Sequence, residues 1–268
     1  MSTTVDKSKL QRIVVKVGTS SLTYPSGKIH LRKMEELITV LSDLKNRGLE
    51  IILVSSGAIA VGVGKMGYDK RPADLPGKQA CAAIGQCELM YLYDKFFSQY
   101  HVKVAQILLT KDAFEVDERR ENVTNTFLRL LQMDVLPIVN ENDSVTVEEI
   151  IVGDNDTLSA LVALIVQADA LIMLSDIDGV YDSDPRKNPD AIKLETANLN
   201  SKRVREGVSG AGSSHAIGGM ITKFSAASLT TPAGIHTWVM NGEEPKDLYR
   251  FFDGEPLGTL FVEGEEDD

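Results

Sequence analysis

Two lysines stand beside glycine-rich segments at opposite ends of the sequence. Lys16 interrupts the apolar run IVVKVG and is followed by Gly18. Lys223 ends a segment, residues 207–223, that holds five glycines among 17 positions. An ammonium group beside backbone with few side chains suits a phosphate group, because the backbone N–H groups can approach it closely. The simpler interpretations are a strand-end lysine whose ammonium reaches water, and a surface loop.

Seven acidic and amide side chains are concentrated in two short runs, each after a hydrophobic segment. They are Asn140, Glu141, Asn142, Asp143, Asp154, Asn155 and Asp156. A turn needs one or two such residues, so the excess indicates recognition of a ligand. The calcium-loop pattern D-x-[DN]-x-[DN]-G is absent. Carboxylates and amides suit a substrate that carries an ammonium group, and they can also orient lysines.

Two further predicted strands end in small polar residues. Residues 55–57 (Ser-Ser-Gly) follow EIILV, and residues 175–176 (Ser-Asp) follow ALIML. If a helix begins after residue 57, its free N–H groups would form an anion site. The simpler interpretation is a turn in which a serine caps the helix. Residues 175–176 lead into a tight turn that could seat a nucleoside.

The elements that position these residues alternate between strand and helix. Predicted strands cover residues 12–17, 50–54, 102–109, 135–139, 170–174, 237–240 and 259–262, and predicted helices cover 31–47, 78–99, 122–133, 156–167, 218–230 and 245–252. Near-continuous apolar strands in this alternation predict an α/β fold, a three-layer sandwich with a mostly parallel central sheet. Ligands of such sheets bind beyond the carboxyl ends of the strands, where the polar clusters fall.

Composition and charge limit the classes of protein to consider. The chain has 268 residues, 43% hydrophobic and 25% charged, which is ordinary for a globular protein. We expect one domain over residues 1–268, because no Pro- or Ser-rich linker interrupts the pattern. A net charge of −11 argues against nucleic acid as a partner. The sequence shows no membrane-spanning run and no apolar signal segment, so we expect a cytoplasmic protein.

Several common chemistries lack their sequence motifs. No G-x-G-x-x-G follows the first strand and no G-x-x-x-x-G-K-[ST] occurs, which excludes a Rossmann dinucleotide site and a P-loop. The nucleophile motif G-x-S-x-G is also absent. The four histidines form no spaced set of metal ligands.

Taken together, the polar clusters resemble the amino acid kinase family. The matching segments are KVGTSSLT (16–23), VSSGAIAVG (54–62), KQACAAIGQ (78–86), PIVNEND (137–143), VGDNDTLSA (152–160), LSDIDGVYDSDPR (174–186) and GGMITK (218–223). They run in order over almost the whole chain, and the combination of NEND with VGDND is the most specific. The resemblance implies the amino acid kinase fold, with the substrate site mainly in the N-terminal part and the ATP site mainly in the C-terminal part.

The resemblance also implies an activity. It is the ATP-dependent phosphorylation of the side-chain carboxylate of L-glutamate to L-glutamyl 5-phosphate, the first step of proline biosynthesis, with Mg²⁺ held mainly by the ATP phosphates. Inhibition by proline and a homo-oligomer, either a dimer or a tetramer, are further expectations of the family. Many members carry a C-terminal PUA domain, and we expect none here.

Site residues follow from the resemblance by position. It implies catalytic roles for Lys16, Lys223 and Asp156, the last of which would hold the lysines in place. Substrate binding would involve Ser56, Gly57, Asp143 and Asn155. ATP binding would involve Lys16, Gly18, Ser175, Asp176, Ile217, Gly218, Gly219, Met220, Ile221, Thr222 and Lys223. Ile217 stands where the family often has a threonine, so the contact of that hydroxyl group is in question.

A carboxylate acceptor explains why such a kinase needs no general base. The side-chain carboxyl group of free glutamate has a pKa of about 4.3 and is already ionised at neutral pH. The difficulty is to bring one anion against another, which the lysines would relieve. Two alternatives stay open at this point: a kinase of a related acidic substrate such as N-acetylglutamate, and a non-catalytic amino-acid sensor on the same fold.

Overall fold

The computed structural model describes residues 5–145, 155–183, 185, 188, 190–202, 204–205 and 215–265, with the backbone alone for residues 215–218. Its strands are β1 (Arg12–Val17), β2 (Glu50–Val54), β3 (Lys103–Leu109), β4 (Val135–Glu141), β5 (Ala170–Ser175), β6 (Thr196–Asn198), β7 (His236–Asn241) and β8 (Thr259–Val262). Its helices are α1 (Thr19–Leu22), α2 (Leu31–Asn46), α3 (Ala58–Met66), α4 (Leu75–Ser98), α5 (Asp112–Glu115), α6 (Asp117–Gln132), α7 (Asn155–Ile165), α8 (His215–Thr230) and α9 (Asp247–Phe252). Short 3₁₀ turns cover Lys7–Lys9 and Thr231–Ala233.

The strands form one eight-stranded sheet in the order β3-β4-β2-β1-β5-β7-β8-β6. Every neighbouring pair is parallel except β7 and β8, which are antiparallel. The predicted mostly parallel sheet is confirmed. The four central strands β4, β2, β1 and β5 therefore end at one edge of the sheet, and the polar clusters follow those ends.

Alternation along β1 divides the core between the two faces of the sheet. Ile13 and Val15 belong to one apolar cluster, and Val14 belongs to the other. Helices α2 and α4 contribute to the first cluster, and α7 and α8 contribute to the second. The continuous apolar strand RIVVKV is thus explained by burial on both faces, as in other parallel sheets covered by helices.

The helix boundaries differ from the prediction where hydrophobic residues do not recur at the spacing of a helix. Helix α4 begins at Leu75 rather than at residue 78, because the side chain of Asp74 accepts a hydrogen bond from the Gly77 N–H at 2.8 Å. Helix α6 begins at Asp117 rather than at residue 122, in a charged stretch without an apolar period. The three-residue strand β6 and the four-residue helices α1 and α5 were not predicted, since such short elements carry little periodic signal.

Helices α3 and α4 approach each other closely through glycine. A β-carbon at Gly62 would overlap the carbonyl group of Cys81, and a β-carbon at Gly85 would overlap the carbonyl oxygen of Ala58. At the start of α3, Gly57 has a left-handed φ of 98°, which a residue with a side chain rarely adopts. These contacts hold the segment from Ser55 to Gly57 beside the middle of α4.

No helix in the described part of the chain is long and apolar enough to cross a lipid bilayer.

Candidate active site

Two lysines from distant elements meet on one carboxylate. Lys16, on β1, places its Nζ 2.7 Å from Oδ1 of Asp156, and Lys223, on α8, places its Nζ 3.1 Å from Oδ2. The hydroxyl group of Thr222 donates a hydrogen bond to the same Oδ2 at 2.7 Å. Lys223 also donates to the carbonyl oxygen of Gly219 at 3.1 Å. The structure therefore brings the two predicted lysines together within the span of a single carboxylate.

The three charged residues are almost fully buried, with exposures of 7% for Lys16, 4% for Asp156 and 6% for Lys223. Burial by itself would raise the pKa of Asp156, but the charges of Lys16 and Lys223, with hydrogen bonds from Lys16 and Thr222, outweigh it and hold that pKa below its usual value. Burial lowers the pKa of Lys223, and the positive charge of Lys16 lowers it further. The negative charge of Asp156 raises that pKa, but it does not outweigh the other two effects. Two positive charges against one negative leave the cluster attractive to an anion.

The position of each charge follows from its element. The register of β1 places Lys16 opposite Val54 of β2 and Met173 of β5, so its side chain emerges in the middle of the sheet near the carboxyl edge. Asp156 lies in the first turn of α7, where the helix dipole favours negative charge. We call Lys16, Asp156, Lys223 and Thr222 the ionic cluster.

A second group of side chains, next to the ionic cluster, is neutral. Nδ2 of Asn155 donates hydrogen bonds to the Ser56 hydroxyl group at 2.9 Å, to the Ser55 carbonyl oxygen at 3.0 Å and to Oδ1 of Asn140 at 3.1 Å. Nδ2 of Asn140 in turn donates to Oε1 of Gln86 at 2.7 Å. We call Gln86, Asn140, Asn155 and Ser56 the amide network.

One atom of the amide network faces no protein donor. Oδ1 of Asn155 is buried and has no hydrogen-bond partner among the residues that the structure describes. A buried acceptor in this state costs free energy, about 1–3 kcal/mol by comparison with other proteins, unless a ligand satisfies it. Asn155 therefore offers an acceptor to a donor group of a ligand.

A cleft of about 200 Å³ joins the two groups. Its lining includes Lys16 of the ionic cluster, Ser56 and Asn155 of the amide network, and the start of α3. Three charged residues complete its wall: Arg71, Glu141 and Asp143. The lining thus offers both signs of charge to a small molecule that carries both signs itself. Gly57, also on the wall, is packed against Thr19 so closely that a β-carbon would lie 3.2 Å from Cγ2 of Thr19.

Two of the residues predicted to bind the nucleotide lie on the side of β1 opposite to the cleft. Ser175 and Asp176 follow β5, whereas the start of α3 on the cleft wall follows β2. The Ser175 hydroxyl group donates to Oδ1 of Asp176 at 3.0 Å. The charge of Asp176 reaches Lys223, where it raises the pKa against the effect of burial. Gly18 follows β1 directly, and a β-carbon there would lie 4.0 Å from Nζ of Lys16.

The predicted glycine-rich segment is described in part. Gly219, Met220, Ile221, Thr222 and Lys223 lie in α8, with Met220 half-buried and Ile221 exposed. Only the backbone of Ile217 and Gly218 is described, and residues 206–214 and Asp154 lie outside the described residues.

Sequence reasoning assigned no role to three residues in or beside the cleft. Gln86 ends the KQACAAIGQ segment, so it had a motif as a signal. Arg71 had none, since it stands in a loop between α3 and α4. Asn140 belonged to the acidic and amide run but was not singled out, because the run does not show which of its members face inward.

Comparison with known proteins agrees with this architecture. A sequence profile described as the amino acid kinase family matches residues 11–241. Carbamate kinase from Giardia lamblia bound to AMP-PNP shares the fold, with a TM-score of 0.66 and 14% identity over 97% of this chain and 100% of that one.

Closer relatives share much more of the sequence. A glutamate 5-kinase from Clostridium perfringens is 51% identical over 256 residues, which cover 94% of this chain and 95% of the relative. A glutamate 5-kinase from Listeria monocytogenes is 49% identical over 261 residues, 96% of this chain and 95% of the relative. The chain therefore belongs to the amino acid kinase family, where its similarity is to the glutamate 5-kinases.

Proposed function

We propose that this protein transfers the γ-phosphoryl group of ATP to the side-chain carboxylate of L-glutamate. The bond between the γ-phosphorus and the β,γ-bridging oxygen breaks, a carboxylate oxygen takes its place, and the products are L-glutamyl 5-phosphate and ADP. This is the first step of proline biosynthesis. The observation that carries the proposal is the meeting of Lys16 and Lys223 on Asp156, at the end of a cleft with groups of both charges.

Charge neutralisation is the main task of the ionic cluster in this reaction. Two unit charges 4 Å apart repel by about 4 kcal/mol at an intermediate dielectric. The ammonium groups of Lys16 and Lys223 offset this repulsion by binding phosphate oxygens. Their interaction with these oxygens becomes stronger in the transition state, because negative charge moves toward the leaving ADP. Asp156 is a positioning residue, because it holds both lysines in place without itself binding the polyanion.

The cleft recognises the amino acid by its charges. Asp143 and Oδ1 of Asn155 accept hydrogen bonds from the α-ammonium group, and the backbone N–H groups at the start of α3, beside Ser56 and Gly57, favour a carboxylate. This arrangement distinguishes L-glutamate from N-acetylglutamate, whose amide nitrogen carries no charge. Relatives about 50% identical to this chain are named glutamate 5-kinase, which supports glutamate itself as the substrate.

The nucleotide lies along the other side of the cluster in this proposal. Gly18, Ser175 and Asp176 flank it from the sheet, and residues 217–223 cover it from α8. Mg²⁺ would be held mainly by the ATP phosphates in this proposal, because both oxygens of Asp156 already face lysines. The ion would supply further positive charge to the transferred group.

Other features follow from the family. We propose that residues 1–268 act as one domain, with the glutamate site mainly in the N-terminal part and the ATP site mainly in the C-terminal part. We also propose that the protein assembles as a dimer or tetramer and that proline inhibits it.

The test is ATP turnover with a trap for the product. The purified protein, with ATP and Mg²⁺, is expected to release ADP when L-glutamate is added, and hydroxylamine should convert the acyl phosphate to a hydroxamate in equal amount. N-acetylglutamate is the matched control substrate and should give neither product. ADP release without hydroxamate would indicate plain ATP hydrolysis, and binding of glutamate without turnover would support an amino-acid sensor.

A further inference from the structure

The amide network contains a residue that does not line the cleft but supports a side chain that does. Gln86 lies on α4, one residue after Gly85, which brings α4 against the start of α3. Its Oε1 accepts the hydrogen bond from Nδ2 of Asn140. Gln86 is absent from the lining of the cleft, whereas Asn155, two hydrogen bonds away, is part of it.

The orientation of Asn140 is set by a backbone group. Its Oδ1 accepts from the N–H of Glu141 at 2.9 Å, and a backbone N–H cannot act as an acceptor. Rotating the Asn140 amide by half a turn would place Nδ2 against that N–H. Asn140 must therefore direct Nδ2 toward Gln86. Because Asn140 is only 2% exposed, that donor depends on Gln86 rather than on water.

The orientation of Asn155 is set in the same way. Its Nδ2 faces two acceptors, the carbonyl oxygen of Ser55 and Oδ1 of Asn140. Reversing the Asn155 amide would place its oxygen against both of them. The same constraint directs Oδ1 of Asn155 away from the network, and this is the buried acceptor that has no partner in the described chain.

We propose that Gln86 is a positioning residue that holds the amide network in place and thereby helps to select a substrate with a free α-ammonium group. Its side chain does not touch the substrate. By accepting the hydrogen bond from Nδ2 of Asn140, it holds that side chain in the orientation that the Glu141 N–H sets. Asn140 in turn supports Asn155, which presents an oxygen to the ammonium group. This inference rests on the proposed function, since it specifies how the cleft recognises the amine of glutamate.

The test compares substrates with and without the amine in the full-length protein. Gln86→Met keeps the length of the side chain but removes the acceptor. We expect the KM for L-glutamate to rise about five- to tenfold, the effect of one buried hydrogen bond, with kcat and the KM for ATP nearly unchanged. Glutarate, which lacks the ammonium group, should keep the inhibition constant that it has with the wild-type protein.

A second helix position and a double variant separate positioning from general damage. Gln79→Met makes the same change on α4 at another half-buried glutamine, whose side chain has no hydrogen bond to any described residue, and it should leave the KM for glutamate unchanged. In an Asn155→Ala background, Gln86→Met should add little, because its effect passes through Asn155.

Different results would overturn different statements. If the wild-type protein does not phosphorylate glutamate, the proposed function is wrong. If the wild-type protein is active but Gln86→Met leaves the KM for glutamate unchanged, the positioning role is wrong. The positioning role is also wrong if glutarate inhibition weakens as much as glutamate binding does, or if Gln86→Met has its full effect without Asn155.

Discussion

Asn155 and Asp156 are neighbours in the first turn of α7, yet their side chains belong to different kinds of site. Asn155 joins the amide network, in which every partner is neutral. Asp156 joins the ionic cluster, in which the partners Lys16 and Lys223 are charged and buried. In the proposed function, one step along a helix therefore separates the amino-acid site from the triphosphate site.

The two groups also differ in how their side chains are satisfied. The ionic cluster is kept together by Asp156, whose negative charge faces the lysines that would bind the ATP phosphates in the proposed function. In the amide network, Nδ2 of Asn140 and Nδ2 of Asn155 both have acceptors, and Oδ1 of Asn155 has no partner among the described residues, so in the proposed function it is left for the substrate. Changes in the ionic cluster should therefore affect turnover and stability strongly, and changes in the amide network should mainly affect the binding of glutamate.

The largest expected effect follows from removing the shared carboxylate. Asp156→Asn leaves two buried ammonium groups without their counter-charge, and we expect the free energy of unfolding to fall by about 3–5 kcal/mol. Urea unfolding without nucleotide measures the loss, and saturating ATP should restore part of it because the phosphates replace the missing charge. Asp43→Asn, which breaks the exposed pair with Arg47, is the control and should cost about 1 kcal/mol or less. Equal losses in the two variants would contradict the role given to Asp156.

The next effect concerns turnover. Lys223→Ala should lower kcat by about 10²–10³, the cost of one positioned group that stabilises charge in the transition state. The KM for glutamate should change far less, since Lys223 belongs to the ionic cluster. Steady-state ADP release gives both constants, and Lys95→Ala, at an exposed position on α4, is the control. Near-normal turnover of Lys223→Ala would show that Lys223 has no catalytic role.

A smaller and different effect is expected in the amide network. Asn155→Ala removes the acceptor for the ammonium group, a hydrogen bond to a charged group worth about 1.5–3 kcal/mol. We expect the KM for L-glutamate to rise about ten- to hundredfold with a smaller change in kcat, and glutarate inhibition to stay the same. If Asn155→Ala lost turnover but kept its KM for glutamate, Asn155 would act with the ionic cluster, and the division of roles between the two groups would be wrong.

The part of this arrangement that could be predicted is the part with a local signal. The sheet followed from apolar strands that alternate with helices, and Lys16 stood out because it interrupts one of them. The acidic and amide runs also had an unusual composition. These features need only a few neighbouring positions to be seen.

The remainder depends on contacts between distant segments. We expected Lys223 to share a carboxylate with Lys16 only from the family resemblance, because nothing near Lys223 in sequence indicates that contact. Nothing in the sequence distinguishes Gln86 from other glutamines on helices, because its role depends on the hydrogen bond that it accepts from Nδ2 of Asn140. Arg71 lies in a loop without periodicity and reaches the cleft only through the packing of α3 and α4.

The smallest expected effect comes from the deprotonation of Lys223 at alkaline pH, which removes its charge but leaves the side chain in place. Burial lowers the pKa of Lys223, so the charged form that binds phosphate is lost at a lower pH than for an ordinary lysine, whose pKa is about 10.4. We expect kcat/KM for ATP, which reports the free enzyme, to decline on the alkaline side below that pH. At saturating ATP the decline in kcat should move to higher pH, because the triphosphate favours the charged lysine. Lys223→Arg keeps its charge throughout this pH range, so its residual activity should not show the alkaline decline. If the decline persists unchanged in this variant, another group titrates, and the ionic cluster is not the part of the site that responds to pH.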